Sequence, residues 1–242
     1  DTAMERYAHA LQAMLDDAEA KCRRHSIRPE GNLRKQAAGM IGRELMESLN
    51  AYHVQPFKDS LRIEFISLME SYLKRLMKDE NAGFPRITIN EKALLEKLEE
   101  PGINRKSLDK LCDKLDSHKT IYFCRYSDHR DYSLLFDPHK MRFFAKLYLL
   151  SRYDDLKRMP QNSPGRVLKV VGKNELLPES RRPERFIVVP LSFGREQEKL
   201  LLEAVEEPEM LKTARLVKKN DEYYLTINIA VEPEQTCEIK SY

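Results

Sequence analysis

The sequence predicts an α+β fold, a helical lobe followed by a mostly β, barrel-like domain, and three observations predict it. Up to about Leu115 apolar residues recur at the three- and four-residue spacing of buried helix faces. From Thr120 the period shortens to that of strands, with runs rich in aromatic and β-branched residues. Residues 186–232 then read as strand, turn, helix, strand, turn, strand, and the rest of the chain is expected to be organised around that stretch. The expected division is a helical lobe over 1–118, a mostly β domain over 119–236 and a linker over 237–242.

Residues 2–24 place Met4, Tyr7, Leu11, Met14, Leu15 and Ala18 on one stripe, which predicts a first amphipathic helix. Pro29 and Gly31 break it, and residues 33–52 repeat the pattern through Ile41, Leu45, Leu49 and Tyr52 as a second helix. After Pro56, residues 58–78 carry paired apolar residues from Phe65/Ile66 to Leu76/Met77, a stripe too wide for a single buried contact. That helix is expected at the centre of the lobe. The run Gly83-Phe84-Pro85-Arg86 ends it, because proline cannot continue a helix. Two short helical patterns over 91–100 and 105–115, split by Pro101-Gly102, predict a small helical hairpin.

Residues 120–126, 132–136 and 142–150 predict a β-meander, with Asp137-Pro138-His139-Lys140 joining its last two strands. A polar, proline-bounded connection follows, then a short basic strand at 166–171. In the stretch 186–232, a β-branched run reaches Leu191, Gly194 opens a leucine-carrying helix that Pro208 closes, and two strands flank Asn220-Asp221, residue types suited to a tight turn. The last strand alternates polar and apolar residues, as a half-buried strand does.

The chain has 242 residues, enough to bury a core without metals or disulfides, and one third of them are charged. No run approaches the 18 apolar residues of a membrane span, and the first 25 residues have no apolar signal core. Cys22, Cys112, Cys124 and Cys237 are scattered, which argues against a disulfide scaffold and predicts a reducing, cytoplasmic setting. The net charge of +3 hides an asymmetry: residues 138–182 carry 11 Lys and Arg against 4 Asp and Glu, and residues 21–86 carry 13 against 8. Positive charge confined to two segments is the pattern of a polyanion-binding face, set against the plainer reading of a solvated helix surface.

Catalytic signatures are missing from the sequence: it has no GxSxG, HExxH, Walker loop or GxGxxG. Acidic pairs such as Asp16-Asp17, Glu99-Glu100, Asp154-Asp155 and Glu206-Glu207 fall on polar faces or loops, where carboxylates are ordinarily just solvated. Cys112, His118, Cys124 and His129 lie within 18 residues, but without the close Cys pair of a structural zinc site they read as packed thiols and surface imidazoles. No metal site is assigned. The residues expected to hold phosphates are Arg34, Lys35 and Arg43 on the second helix, Arg62, Lys74, Arg75 and Lys78 on the third, and Arg86 in the loop after it. They continue with Arg166, Lys169, Lys173, Arg181, Arg182 and Arg185 before the final β-unit, and with Lys218 and Lys219 before its turn. Interleaved Tyr and Phe are suited to stacking on exposed bases.

The order of these pieces resembles the N-terminal half of the compact RNA-guided nucleases, the transposon-encoded TnpB proteins and the small type V CRISPR effectors. Residues 43–78 ending in Gly83-Phe84-Pro85-Arg86 look like that family's helical recognition lobe and its GFPR loop. SLLFDPHKMRFFAKLYLL and FIVVPLSFGREQEKLLLEA look like strands of its wedge domain, and KKNDEYYLTINIAVEPE is similar to the segment that runs into the first motif of its RuvC-like nuclease domain. The resemblance implies a bacterial or archaeal cytoplasmic protein of antiviral defence or transposition. Its partners would be a guide RNA and a target DNA duplex, gripped by backbone shape while base pairing selects the sequence. It also implies that the catalytic Asp and its Mg2+ belong to a nuclease part beyond residue 242, so the family carries no catalytic residue and no cofactor onto these residues. The chain lacks the short opening strand usual in the family.

Two other classes compete with this reading. One is a helical protein-interaction or regulatory module, with residues 58–78 docking a partner and the basic segments serving only as solubilising surface. The stripes on residues 2–24 and 58–78 also suit a homodimer. An unaided DNA-binding transcription factor is the weaker rival, since no helix-turn-helix or zinc-finger spacing is clear.

Overall fold

The computed structural model describes residues 2–25, 27–87, 120–127, 130–150, 169–171, 186–219 and 222–231. Helix α1 spans Thr2–His25, α2 Leu33–Gly39, α3 Arg43–Ser48 and α4 Lys58–Leu76. Strands β1 (Thr120–Phe123), β2 (Tyr132–Asp137), β3 (Arg142–Leu147), β4 (Lys169–Val170) and β5 (Ile187–Pro190) precede helix α5 (Arg195–Glu206), which is followed by β6 (Leu211–Lys219) and β7 (Glu222–Ile229). The fold is α+β, and the strands form two small antiparallel sheets ordered β1-β6-β7 and β4-β2-β3-β5, without a closed barrel among the described residues. No helix among those residues is long and apolar enough to cross a membrane.

The first helix forms where its stripe predicts, and Met4, Tyr7, Leu11, Met14, Leu15 and Ala18 are all buried. The second expected helix breaks. Gly39 ends α2 and Gly42 precedes α3, two poor helix formers three residues apart. Lys21 of α1 donates to the freed Met40 carbonyl at 3.0 Å. A 3-10 turn at Leu49–Tyr52 completes the segment. Asn32 caps α2 by accepting the Lys35 amide at 3.0 Å. Helix α4 buries Leu61, Phe65, Ile66, Met69, Tyr72 and Leu73 at the centre of the helices, whereas Met77, expected on the stripe, is exposed.

The expected three-stranded meander is corrected. β2 and β3 do form a hairpin, with Asp137 opposite Arg142 and the Asp137 carboxylate accepting the His139 and Lys140 amides in the turn. β1 instead leaves that sheet and pairs with β6, Phe123 lying opposite Ala214. This places the first β strand against the helices: Ile121, Phe123, Ala214 and Leu216 share one buried core with α1 and α4. A second core holds Leu134, Phe136 and Phe143 against Leu201, Ala204 and Val205 of α5, the helix that Gly194 opens and Pro208 closes as expected. In β6 and β7, Lys219 faces Glu222, so two residues separate the strands as a tight turn requires; Asn220 and Asp221 themselves, and the helical hairpin expected over 91–115, lie outside the described residues.

Candidate nucleic-acid interface

Of the sixteen basic residues singled out, Arg166, Lys173, Arg181, Arg182 and Arg185 lie outside the described residues, and Lys169 is described only as part of the short strand β4. The remaining ten fall into groups that the fold places differently. Packing of α2 on α4 brings Arg34 and Lys74 to one carboxylate: Glu70 accepts Lys74 at 2.7 Å and pairs with Arg34 at 3.5 Å. Both cations are 61% exposed, and the Lys74 hydrogen bond, with the two positive charges, holds the Glu70 carboxyl below its ordinary range. Lys35 beside Arg34, and Arg75 and Lys78 beside Lys74, are exposed and make no ion pair among the described residues. Two cations thus share Glu70, and three more are exposed beside them in sequence, with Asp79 and Glu80 exposed just after Lys78. Part of this charge serves the helix itself, since Lys74 and Arg75 in the last turn complement the macrodipole.

Arg62 is exposed and likewise makes no ion pair among the described residues, but it sits twelve residues before Lys74, about 18 Å along the helix axis. Arg43 is paired within α3 to Glu47 at 2.8 Å. Such exposed pairs contribute only about 0.3–0.5 kcal/mol, so they can be exchanged for a phosphate at little cost.

Arg86 is engaged differently. The loop Gly83-Phe84-Pro85-Arg86 lies on the helices: the Phe84 ring meets Tyr72 at 4.7 Å, the Ile87 amide donates to Gln12 at 2.8 Å, and the Arg86 guanidinium bridges Asp16, at 2.7 Å, and Glu19 of α1. A shallow depression of about 280 Å³ beside this loop is lined by Cys22, Arg23, Tyr72 and Phe84.

Lys218 and Lys219 end β6, far along the chain from the α4 cluster. Lys218 lies over the Tyr223 ring at 5.7 Å, and Tyr223 and Tyr224 are the exposed aromatics of this hairpin. Charge counting along the sequence had no access to direction. Lys146, inside the strongly basic segment, is buried, with its ammonium 4.0 Å from the centroid of Phe186 and 5.2 Å from that of Tyr148. Arg215, not singled out, is half exposed; strand alternation opposite buried Ala214 and Leu216 was the signal that places it on the outer face.

Among the described residues no group of three or more potential metal ligands converges. Cys112, His118 and His129 lie outside them. Cys124 donates its thiol hydrogen to the buried carboxylate of Asp131 at 3.0 Å, and burial, then that hydrogen bond, push the thiol up to about 11. Its backbone amide donates to Ser60 at 3.2 Å, and Arg125 pairs with Asp59 at 2.9 Å, so this corner fastens the start of α4 to the end of β1.

Comparison with known proteins gives no match: no family model and no curated protein aligns with the chain.

Proposed function

We propose that these residues form the guide-RNA and target-DNA binding portion of an RNA-guided DNA-targeting effector. The observation that carries the nucleic-acid part is the exposed basic group at the end of α4, where Arg34 and Lys74 share the carboxylate of Glu70 and Lys35, Arg75 and Lys78 are their exposed neighbours in sequence, with Asp79 and Glu80 following Lys78. Five cations against Glu70, Asp79 and Glu80 leave an excess of two, which is attractive to a polyanion, and exposed pairs of this kind give up their internal partners at little cost. The assignment to guide RNA and target duplex rests on the sequence resemblance, in which base pairing selects the target and the protein grips backbones. This portion needs no cofactor of its own under that reading, and Mg2+ belongs with the nuclease part.

The rival reading, a module that docks a partner on the apolar face of residues 58–78, is weakened because Leu61, Phe65, Met69 and Leu73 are fully buried in the chain's own core. The same burial applies to the stripe of α1 that would serve a dimer.

The test uses the full chain purified through high salt and titrated by fluorescence anisotropy with a structured RNA, an RNA–DNA heteroduplex and a DNA duplex. The triple variant Lys35→Ala, Arg75→Ala, Lys78→Ala breaks no ion pair among the described residues, so its fold is checked simply by circular dichroism. The expected result is binding of the RNA-containing probes that falls at least tenfold in the triple variant. Binding of none of the three probes overturns the proposal; binding of duplex DNA alone converts it to an unaided DNA-binding protein.

A further inference from the structure

The two sheets end, among the described residues, on the edge strands β1, β7, β4 and β5, and these edges are protected unequally. β4 is two residues long, β1 four, and β5 four with Pro190 at its end. Short length and proline are ordinary means of stopping an edge from pairing with another chain. β7 has neither. It runs for eight residues, Glu222–Ile229, without proline, lysine or arginine, and its single charge is on its first residue. The Ala230 amide just after it donates to the Met210 carbonyl at 2.8 Å, so its backbone is turned toward the β6 side. Because that direction alternates along an antiparallel strand, the backbones of Glu222, Tyr224, Thr226 and Asn228 also face β6. The N–H and C=O groups of Tyr223, Leu225, Ile227 and Ile229 therefore face the open edge, where no strand lies among the described residues. Tyr223 and Val231, near the two ends of this edge, are 52% and 60% exposed, so neither end is buried under the rest of the chain.

We propose that β7 pairs with β7 of a second copy, antiparallel about a twofold axis at Thr226, joining two three-stranded sheets into one of six strands. Side chains alternate, so only registers that set odd-numbered residues against odd-numbered ones keep both core faces on the same side. Centring on Thr226 sets Tyr223 opposite Ile229 and Leu225 opposite Ile227 of the second copy. All four outward-facing backbones are then used, in about eight hydrogen bonds between the copies. Centring on Leu225 would instead set Ile229 against a residue beyond the partner strand. On the outer face Tyr224 lies opposite Asn228, and Thr226 opposite its own mate, a favourable pair across antiparallel strands. Glu222 falls opposite Ala230, so no like charges meet along the seam. This is the argument for a second copy over an unrelated partner: an isologous interface has to match itself, and this strand does so without a charge conflict. The surface is separate from the α1 stripe, which is buried in the core, and the proposal does not rest on the nucleic-acid reading.

The experiment is light scattering on the full chain over about a hundredfold range of concentration, after purification through high salt and nuclease treatment so that no bound polymer bridges two copies. The unsubstituted chain is expected to pass from monomer to dimer as its concentration rises. Thr226 is exposed, so replacing it leaves the core intact, and circular dichroism checks each variant's fold. Thr226→Lys and Thr226→Glu each set like charges against one another at the axis and are expected to weaken dimerisation about tenfold or more. Mixed in equal amounts, the two variants are expected to recover it as a heterodimer, a result that misfolding cannot imitate. A chain that stays monomeric throughout overturns the proposal and leaves the β7 edge to a strand supplied by another protein. A dimer that neither substitution weakens also overturns it, because the contact then lies on another surface. Two weakened variants that fail to recover on mixing overturn the pairing about Thr226.

Discussion

Tyr7 gives its hydroxyl hydrogen to Glu64 at 2.6 Å, joining α1 to α4 across 57 residues of sequence. The other oxygen of Glu64 is held by Arg215 of β6 at 3.2 Å, so one carboxylate ties two helices to a strand that comes 151 residues later. The Tyr7 ring packs edge-on against Phe57 at 5.8 Å. Burial, and then the charge of Glu64, push the Tyr7 phenol well above its ordinary range, so it remains a donor throughout the working pH range.

Tyr7→Phe keeps the ring and removes the donor. It is expected to destabilise the fold by about 1.5–3 kcal/mol, the cost of losing a buried hydrogen bond to a charged group. Arg215→Ala, at a half-exposed partner of the same carboxylate, is expected to cost about 1 kcal/mol or less. Urea unfolding followed by far-ultraviolet circular dichroism measures both, and equal losses would show that the network is not organised around Tyr7.

Alkaline stability follows from Cys124. Its thiol is pushed up from an ordinary 9.0 to about 11 by burial and by donation to Asp131, so the folded chain binds that proton more tightly than the unfolded chain. The stabilisation is fully present below pH 9.0 and is lost as pH rises through about 11. Cys124→Ser replaces the thiol with a hydroxyl that does not titrate there. The variant is expected to show a flatter decline of unfolding free energy across that window, and an unchanged slope would contradict the assignment. Burial also raises Tyr132, with Tyr126 adding to it, so further loss of stability is expected at still higher pH in both proteins.

The loop after α4 offers a comparison between an aromatic and an ionic anchor. Phe84→Ala removes the ring contact with Tyr72 and is expected to cost about 1–2 kcal/mol. Arg86→Ala removes half-exposed pairs to Asp16 and Glu19 and is expected to cost about 1 kcal/mol or less. Thermal unfolding of the two variants decides the order, and a larger loss for Arg86→Ala would mean that its bridge, rather than the ring, fastens the loop to α1.

What the sequence discloses here is local periodicity. The stripe of α1, the wide apolar face of α4, the Gly194 and Pro208 boundaries of α5 and the alternation of β7 were all legible because each is set within a few residues. The break between α2 and α3 was carried by Gly39 and Gly42, whose weak helix propensity was outweighed by the apolar spacing around them. The partner of β1 was not legible. Its edge is satisfied by β6, some ninety residues away, and a pattern that says a strand has a buried face does not say which strand lies beside it. The basic cluster was legible as composition, but its sorting was not. Lys146 is buried against Phe186 and Tyr148, Arg86 is held by α1, and Arg34 meets Lys74 at Glu70 only because α2 packs on α4.

The most direct test of the central proposal is the salt dependence of RNA binding. A plot of log affinity against log salt concentration for the full chain and a structured RNA is expected to be steeply negative, and each of Lys35→Ala, Arg75→Ala and Lys78→Ala is expected to make the slope shallower by about one unit. A flat plot, or a steep one that none of the three substitutions changes, would contradict the assignment of the α4 cluster as a phosphate-binding surface.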